Sequence, residues 1–185
     1  SIENFSQWSE EEKNHFTVNV IKGLVIDGVR KANSGHPGGP MSLADFSYIL
    51  YSEFLTFDPN NPDAESRDRV VLSVGHTCML LYVILYLSDI LDMEDLKSFR
   101  QIDSRTPGHP EIETPGVDAN AGPLGQGVGM GVGMAVAETM LQRDNKHYTY
   151  ILAGDGDLQE PIALGAASLA GHWNLSRLIM FYDKN

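Results

Sequence analysis

Apolar residues recur at helical spacing in the first third of the chain and predict two helices there. Ser9 and Glu12 have the spacing of a capping box, in which each side chain bonds the backbone N–H of the other residue. Apolar positions then follow at intervals of three or four residues, and this helix is expected to end near Asn33 and Gly35. A second helical pattern covers residues 42–54 and ends at a segment rich in Asp, Asn and Pro.

Helical and strand-like patterns alternate over the rest of the chain. Short apolar runs rich in β-branched and aromatic residues predict strands at 70–73, 148–152 and 178–182. Other apolar segments predict four further helices, one ending at Leu87 and the others at Asp92–Arg100, Gly127–Arg143 and Pro161–Trp173. Residues 103–124 are rich in Pro, Gly and Thr and are expected to form a loop. Strands that alternate with helices indicate an α/β fold, a parallel sheet with helices on both faces.

The number of predicted strands bears on domain organisation. Three strands are few for an independent doubly wound sheet, and Asn185 lies at the exit of the last one, where such a fold places its next loop and helix. Residues 1–185 are therefore expected to form one domain that is incomplete at its C-terminal end.

Composition and charge narrow the classes of function. The 185 residues include 13 basic and 25 acidic side chains, a net charge of −12, which argues against binding to a nucleic-acid backbone. No apolar run approaches the ~20 residues that cross a bilayer, so no membrane association is expected. Cys78 is the single cysteine and excludes an internal disulfide, which favours a reducing compartment and a cytoplasmic location.

Oxygen-bearing side chains follow two of the predicted strands at the point where each strand ends. Asp155, within Gly154-Asp155-Gly156, follows the strand at 148–152, and Asn185 follows the strand at 178–182. Because parallel sheets bind ligands at the carboxyl ends of their strands, the two side chains could reach one ligand. Their oxygens suit Mg²⁺ or Ca²⁺, and Mg²⁺ commonly shares its coordination shell with phosphate oxygens. Turn glycines beside a strand-end Asn are the alternative interpretation.

Other metal and nucleotide motifs are not matched. Gln159 and Glu160 stand where an EF-hand that starts at Asp155 needs an Asp or Asn ligand and then a Gly. The glycines of residues 125–133 alternate and do not fit G-x-G-x-x-G, and no P-loop motif or zinc-like spacing of Cys and His occurs. These glycines are therefore expected to allow close helix packing or the close approach of a ligand.

Three histidines lie in segments rich in Gly and Pro rather than on an apolar face, namely His36, His76 and His109. Imidazoles on rigid loops can fix hydroxyl groups or phosphates and can transfer protons near pH 7. A loop histidine bonded to the backbone is the alternative for any one of them. Three together favour a functional site.

Five segments follow one another in an order that covers nearly the whole chain: Lys31–Gly38, Arg67–His76, Pro107–Glu111, Gly122–Gly127, and Gly154-Asp155-Gly156 through Asn185. Together they resemble the N-terminal, thiamine diphosphate-binding domain of transketolases. Each motif is only moderately specific, but chance does not readily place five in the same order. The related synthase that makes deoxyxylulose phosphate carries different histidine loops, so the resemblance is to transketolase.

The resemblance implies thiamine diphosphate and Mg²⁺ or Ca²⁺ as cofactors. Carried over by motif, Asp155 and Asn185 supply side-chain oxygens to the metal, and Gly156 donates its N–H to the diphosphate. The residues implied to contact the cofactor, by side chain or backbone, are His76, Gly122, Leu124, Gly156 and Asn185.

The reaction implied by the resemblance moves a two-carbon ketol unit from a ketose phosphate to an aldose phosphate. His36 and His109 would then face the hydroxyl groups of the substrate as catalytic residues. In this family the active site lies between the diphosphate domain of one subunit and the pyrimidine domain of another. Sugar phosphates and a second transketolase subunit, or a separate chain with the pyrimidine domain, are the expected partners, and this chain alone is expected to be inactive.

Two departures from the family pattern concern the metal site. The residue after the family's Gly-Asp-Gly is usually not acidic, whereas here it is Asp157, and Pro161 replaces a glycine. Asp155, Asp157 and Glu160 are therefore expected to form a cluster of like charges that favours a divalent cation.

Two other functions fit parts of this pattern. A non-catalytic or regulatory subunit could keep the cofactor site without turnover. A metal-dependent phosphate hydrolase could use Asp155 and Asp157, although Gln159 stands where such an enzyme needs a hydroxyl residue.

Overall fold

The computed structural model describes residues 2–141 and 147–184, and a parallel sheet of three strands runs through this part of the chain. The strands are β1 (Arg69–Leu72), β2 (Thr149–Gly154) and β3 (Leu178–Asp183), and they lie in the order β1-β2-β3. Leu72 pairs with Leu152, and Gly154 pairs with Asp183. The carboxyl ends of the three strands therefore meet along one edge.

Helices of very different length surround the sheet. The α-helices are α1 (Glu10–Ala32), α2 (Gly38–Ile49), α3 (Cys78–Leu87), α4 (Met93–Lys97), α5 (Gln126–Leu141), α6 (Asp155–Gln159) and α7 (Pro161–His172). A π-helical turn, Leu50–Phe54, extends α2, and 3₁₀ turns occupy Ile2–Gln7 and Gly75–Thr77.

Two hydrophobic cores lie on opposite faces of the sheet. The larger contains Leu72 and Leu152 together with buried residues of α1, α2 and α3. The smaller contains Val71 and Ile151 with residues of α5 and α7. Neighbouring strand residues point to opposite faces, so helices on both sides bury all of β2. The predicted α/β fold with a parallel sheet covered on both faces is confirmed.

The prediction for α1 is confirmed at both ends, whereas the helix α2 begins earlier than predicted. α1 begins with the predicted reciprocal bonds between Ser9 and Glu12 and ends at Asn33 in the left-handed conformation. α2 begins at Gly38, four residues before the predicted start at Ser42, without a side-chain cap. The C-terminal end predicted for the helix at 127–143 lies outside the described residues.

One other predicted helix boundary is wrong. α4 ends at Lys97 rather than at Arg100, because Arg100 adopts a positive φ of 61° that a right-handed helix does not allow. The Gly-Asp-Gly segment continues directly from β2 into the short helix α6, which the sequence analysis does not predict.

Within the described residues, no helix combines the length and the apolar character needed to cross a membrane.

Candidate functional site

The predicted site residues within the described chain gather at the carboxyl edge of the sheet. The chain leaving β1 carries His76 in a 3₁₀ turn, and the chain leaving β2 begins α6 with Asp155. The long loop before α5 crosses the same edge, since Gly125 N–H bonds the side chain of Asp157 in α6. Three separate segments therefore border one region, as expected for ligand sites in parallel sheets.

The three histidines of the sequence analysis lie close to one another. The rings of His36 and His76 are in edge contact, with their centroids 5.0 Å apart. His109 lies near enough that its charge, like that of His36, lowers the pKa of His76, and the charge of His36 in turn lowers the pKa of His109. His36 and His109 are exposed and His76 is partly buried, so a polar ligand could reach all three.

Two of these histidines favour their neutral form. Burial and, second, the positive charge of His36 lower the pKa of His76, and the charge of Asp157 opposes this shift. Burial, the charge of Arg100 and that of His36 lower the pKa of His109, with Glu111 opposing. A neutral imidazole offers one donor and one acceptor, which suits hydrogen bonds to hydroxyl groups.

The loop before α5 packs tightly against the turn that carries His76. A Cβ added to Gly75 would lie 1.5 Å from the carbonyl oxygen of Ala121, a distance that no real side chain can occupy. On the other side of this loop, a Cβ on Gly122 would lie 3.8 Å from the ring of His109. The absence of a side chain at Gly75 thus brings the predicted cofactor loop next to His76.

Leu124 and Gly156 also meet at this edge. A Cβ added to Gly156 would lie 3.0 Å from Leu124 Cδ1, so the leucine side chain packs on the backbone of α6. Leu124 is 38% exposed, which leaves part of an apolar side chain accessible at this edge of the sheet.

Asp155 is the first residue of α6 and lies where β2 ends. The hydroxyl of Tyr182, on the neighbouring strand β3, donates a hydrogen bond to Asp155 Oδ1, and this bond is the main cause that raises the pKa of the tyrosine. Asn185, the second predicted metal ligand, lies outside the described residues. No group of three His, Cys, Asp or Glu side chains in the described residues is arranged to hold a metal ion.

Asp157 points away from this open region. Its side chain is 0% exposed and accepts hydrogen bonds from the Ser73 hydroxyl and from the backbone N–H groups of Gly125 and Gly154. The expectation that Asp157 joins Asp155 in an acidic cluster that binds a cation is therefore wrong. Both oxygens of Asp157 already bind donors, so they are not available as ligands for a cation. A phosphate hydrolase that uses Asp155 and Asp157 together is correspondingly disfavoured.

Sequence reasoning missed Ser73 and Tyr182 as partners of the two aspartates. Each contact joins residues that are distant in sequence, so no local sequence pattern predicts it. One signal was present for Asp157. An acidic residue three positions after Gly154, the residue before α6, is placed to accept the backbone N–H of Gly154 in the manner of a capping box.

Comparison with known proteins identifies what this arrangement is similar to. The family model described as transketolase, thiamine diphosphate binding domain, matches residues 13–185. Chloroplastic transketolase of Zea mays is 54% identical over 180 residues, and the match covers 91% of this chain and 27% of the maize protein. Transketolase of Halalkalibacterium halodurans is also 54% identical, over 178 residues, with 91% and 27% covered.

Solved structures give the same result. Transketolase from Leishmania mexicana matches with a TM-score of 0.90 and 46% identity, over 93% of this chain and 27% of that one. The Campylobacter jejuni enzyme matches with a TM-score of 0.88 and 50% identity, over 91% and 27%. A Pichia stipitis transketolase in complex with sedoheptulose-7-phosphate matches with a TM-score of 0.88 and 43% identity, over 93% and 27%. The chain thus spans about a quarter of the length of these relatives.

Proposed function

Because the chain belongs to the transketolase family, we propose that it supplies the thiamine diphosphate- and metal-binding half of a ketol-transfer active site. The reaction would move a two-carbon ketol unit from a ketose phosphate to an aldose phosphate. The observation that carries the proposal is the meeting of His36, His76 and His109 with a glycine-lined loop at the carboxyl edge of a parallel sheet. Residues 1–185 would form the diphosphate-binding domain of this site.

The residues at this edge fit a diphosphate in their chemistry. Gly156 has no side chain to screen its N–H, and His76 can donate a hydrogen bond to a phosphate oxygen. α5 begins beside this region, and the positive end of its dipole favours an anion. These features explain how an acidic protein could hold a diphosphate without a basic surface.

The other cofactor contacts are assigned to the loop before α5. Gly122 would bond the aminopyrimidine through its backbone, and Leu124 would pack beside the cofactor. The support for this assignment is that the loop is held against the turn of His76 by the close contact at Gly75, with the exposed part of Leu124 on the same edge.

The donor chemistry also fits Mg²⁺ or Ca²⁺. Asp155 provides a carboxylate at the end of β2, and we assign the second side-chain ligand to Asn185. Both are hard oxygen donors of the kind that these cations prefer. Because the described residues offer no complete cluster of ligands, a cation here would need further oxygens, and those of a diphosphate are suitable. Metal and cofactor are therefore expected to bind together.

When bound, thiamine diphosphate supplies the carbon nucleophile and the electron sink for breaking the bond beside a ketose carbonyl. The chain's own residues orient the sugar. His36 and His109 are exposed, and their ring nitrogens can hydrogen-bond the hydroxyl groups at the reacting carbons. The neutral form favoured at His109 can accept a proton from a hydroxyl group and return it.

The partners that we propose follow from the open character of this edge. The relative from Pichia stipitis binds sedoheptulose-7-phosphate, and sugar phosphates are the proposed substrates of the present protein. A second transketolase subunit, or a chain with the pyrimidine domain, would close the site over the exposed His36 and His109. This chain by itself is then expected to be inactive.

We also propose a reducing compartment, the cytoplasm, as the location. Cys78 is buried and its thiol donates to the carbonyl oxygen of Gly108 at 3.2 Å. Burial raises its pKa to about 12, so the cysteine packs rather than reacts.

The test is the binding of thiamine diphosphate to the full-length protein, measured by isothermal titration calorimetry. Binding is expected with Mg²⁺ or Ca²⁺ and is expected to disappear with a chelator. The substitution Asp155→Ala should weaken binding by a factor on the order of 100, because it removes the charged metal ligand. The control Asp45→Ala removes an exposed carboxylate on α2 that pairs with Lys22, and should leave binding within about twofold.

Each outcome separates the candidate functions. Cofactor binding undiminished by the chelator would contradict the metal bridge. Binding without ketol transfer between sugar phosphates would favour the non-catalytic subunit. Hydrolysis of a phosphate ester in the absence of thiamine diphosphate would favour the hydrolase.

A further inference from the structure

We infer that Asp157 is a positioning residue, whose buried carboxylate holds together the three loops that form the cofactor site. This inference rests on the proposed function and deepens it. The hydrogen bonds of Asp157 go to the segments that carry the residues of the proposed site, and its negative charge also acts on His76.

The carboxylate of Asp157 joins three segments that are distant in sequence. Oδ1 accepts the Ser73 hydroxyl at 2.9 Å and the Gly125 N–H at 2.7 Å, and Oδ2 accepts the Gly154 N–H at 3.0 Å. Ser73 follows β1, Gly125 ends the long loop before α5, and Gly154 ends β2. One side chain thus links the ends of two strands to the start of a helix.

The chemistry of these contacts requires a carboxylate. The two backbone N–H groups can only donate, and an ionised carboxylate offers acceptors on both oxygens. All three partners are neutral, and the described residues give Asp157 no ion pair. Hydrogen bonds to a charged acceptor in a fully buried position are stronger than those between neutral groups.

Each bonded segment leads directly to a residue of the proposed site. Ser73 is three residues before His76, Gly125 follows Leu124, and Gly154 precedes Asp155. These segments also touch one another closely, because Gly75 packs on the Ala121 carbonyl. A shift of one loop would therefore disturb the spacing between the proposed diphosphate and metal contacts.

The substitution Asp157→Asn separates a positioning role from simple packing. Asparagine has nearly the same shape, but it has one acceptor oxygen and one NH₂ group. Either orientation of the amide turns its NH₂ toward at least one backbone N–H, that of Gly125 or that of Gly154. The loops must then move apart or lose a hydrogen bond, although no volume is removed from the core.

A matched control lies at the opposite end of the sheet. Asp68 is 3% exposed and accepts the backbone N–H groups of Thr56 and Tyr148 at 2.8 and 2.6 Å. The substitution Asp68→Asn imposes the same chemical change on a buried carboxylate that holds two segments. Its bonds lie at the amino ends of β1 and β2, at the opposite end of the sheet from His36, His76 and His109.

The experiment measures thiamine diphosphate affinity at saturating Mg²⁺ on the full-length protein and its variants. Urea unfolding at the temperature of the binding assay first establishes that all variants are folded. Asp157→Asn should weaken cofactor binding about tenfold or more, and Ser73→Ala, which removes one of three donors, should weaken it less. Asp68→Asn should leave the affinity within about twofold of the parent, even though it lowers stability.

The possible results are distinguishable. An Asp157→Asn variant that binds the cofactor as tightly as the parent overturns the positioning role alone. Equal losses of affinity in the Asp157→Asn and Asp68→Asn variants also overturn it, since they would reflect general destabilisation. If Asp157→Asn does not fold, unchanged affinity of Ser73→Ala is the contradicting result. A parent protein that binds no thiamine diphosphate with Mg²⁺ overturns the proposed function and this inference with it.

Discussion

Buried carboxylates hold backbone N–H groups at both ends of the parallel sheet, and two of them, Asp118 at the amino end and Asp157 at the carboxyl end, differ in how their charge is balanced. At the amino end, Asp118 binds the Val70 N–H and also pairs with Arg67, at 2.7 Å. Glu138 pairs with His147 at 3.0 Å near the start of β2. At the carboxyl end, the partners of Asp157 are three neutral donors.

This difference separates a closed end from an open one. The ion pair between Arg67 and Asp118 at the amino end is nearly inaccessible, since the two side chains are 9% and 5% exposed. At the carboxyl end, His36 and His109 are exposed and Asp155 is partly exposed. The closed end can contribute to stability without a ligand. The open end carries polar groups that a ligand and a cation could satisfy, which is why we assign function there.

The largest expected effect comes from breaking the closed end with Arg67→Ala. This change leaves the buried carboxylate of Asp118 with only the more distant Arg69, at 3.9 Å, as a cation, and should lower the free energy of unfolding by about 3 kcal/mol. Urea denaturation of the full-length protein measures this loss. Under conditions where the variant is folded, its affinity for thiamine diphosphate should stay within about twofold.

An exposed ion pair provides the control for Arg67→Ala. Lys22 pairs with Asp45 at 2.6 Å, with Asp45 largely exposed, so Lys22→Ala should cost no more than about 1 kcal/mol. Similar losses from the two substitutions would show that burial does not strengthen the pair at the amino end. A large loss of cofactor affinity in Arg67→Ala would mean that the two ends are coupled.

A substitution at the open end should reduce cofactor affinity more than it reduces stability. In Gly75→Ala, the new Cβ would lie 1.5 Å from the Ala121 carbonyl oxygen, so the loop before α5 must move away from His76. We expect a stability loss of about 1–3 kcal/mol from this overpacking, together with a marked loss of cofactor affinity. Gly133→Ala is the matched control, since its Cβ meets nothing within 4 Å and alanine favours the helix α5. Equal cofactor affinity in the two variants would contradict the assigned position of the loop.

Much of the open end could be predicted because it depends on strand order and local turns. Asp155 follows a strand with a strong β pattern, and parallel strands bring their carboxyl ends to one edge. His36, His76 and His109 lie in Gly- and Pro-rich segments, and the structure brings them together. Their proposed roles remain predictions that the binding experiments test.

The orientation of Asp157 could not be predicted, because it depends on the short helix α6, which the sequence analysis does not predict. In an extended chain, residues two positions apart share a face, so Asp155 and Asp157 would lie together. In α6 they are separated by about 200° around the helix axis. One aspartate therefore faces the open site and the other faces the protein interior. The pairs Arg67–Asp118 and Glu138–His147 join distant positions and likewise have no local signal.

The smallest expected effect is a pH dependence of stability that originates at the open end. Folding lowers the pKa of His76 and His109, chiefly through burial, so their contribution to stability is complete above the ordinary histidine pKa of about 6.5. It is lost as the pH falls from there through the lowered values, because the unfolded chain then binds more protons. Urea unfolding of the metal- and cofactor-free protein between pH 7.5 and 5 should therefore show decreasing stability.

The substitution His109→Asn assigns this dependence to the site. It removes one titrating imidazole with a lowered pKa, so the loss of stability on acidification should be smaller than in the parent. His15→Asn, which changes an exposed histidine on α1, should follow the parent profile. Identical profiles for the parent and His109→Asn would mean that the acid sensitivity arises elsewhere.

Bound thiamine diphosphate should reduce the loss of stability on acidification, because a diphosphate anion near His76 favours the protonated ring. A pH dependence of stability that changes when thiamine diphosphate binds would then distinguish the open end of the sheet from the closed end.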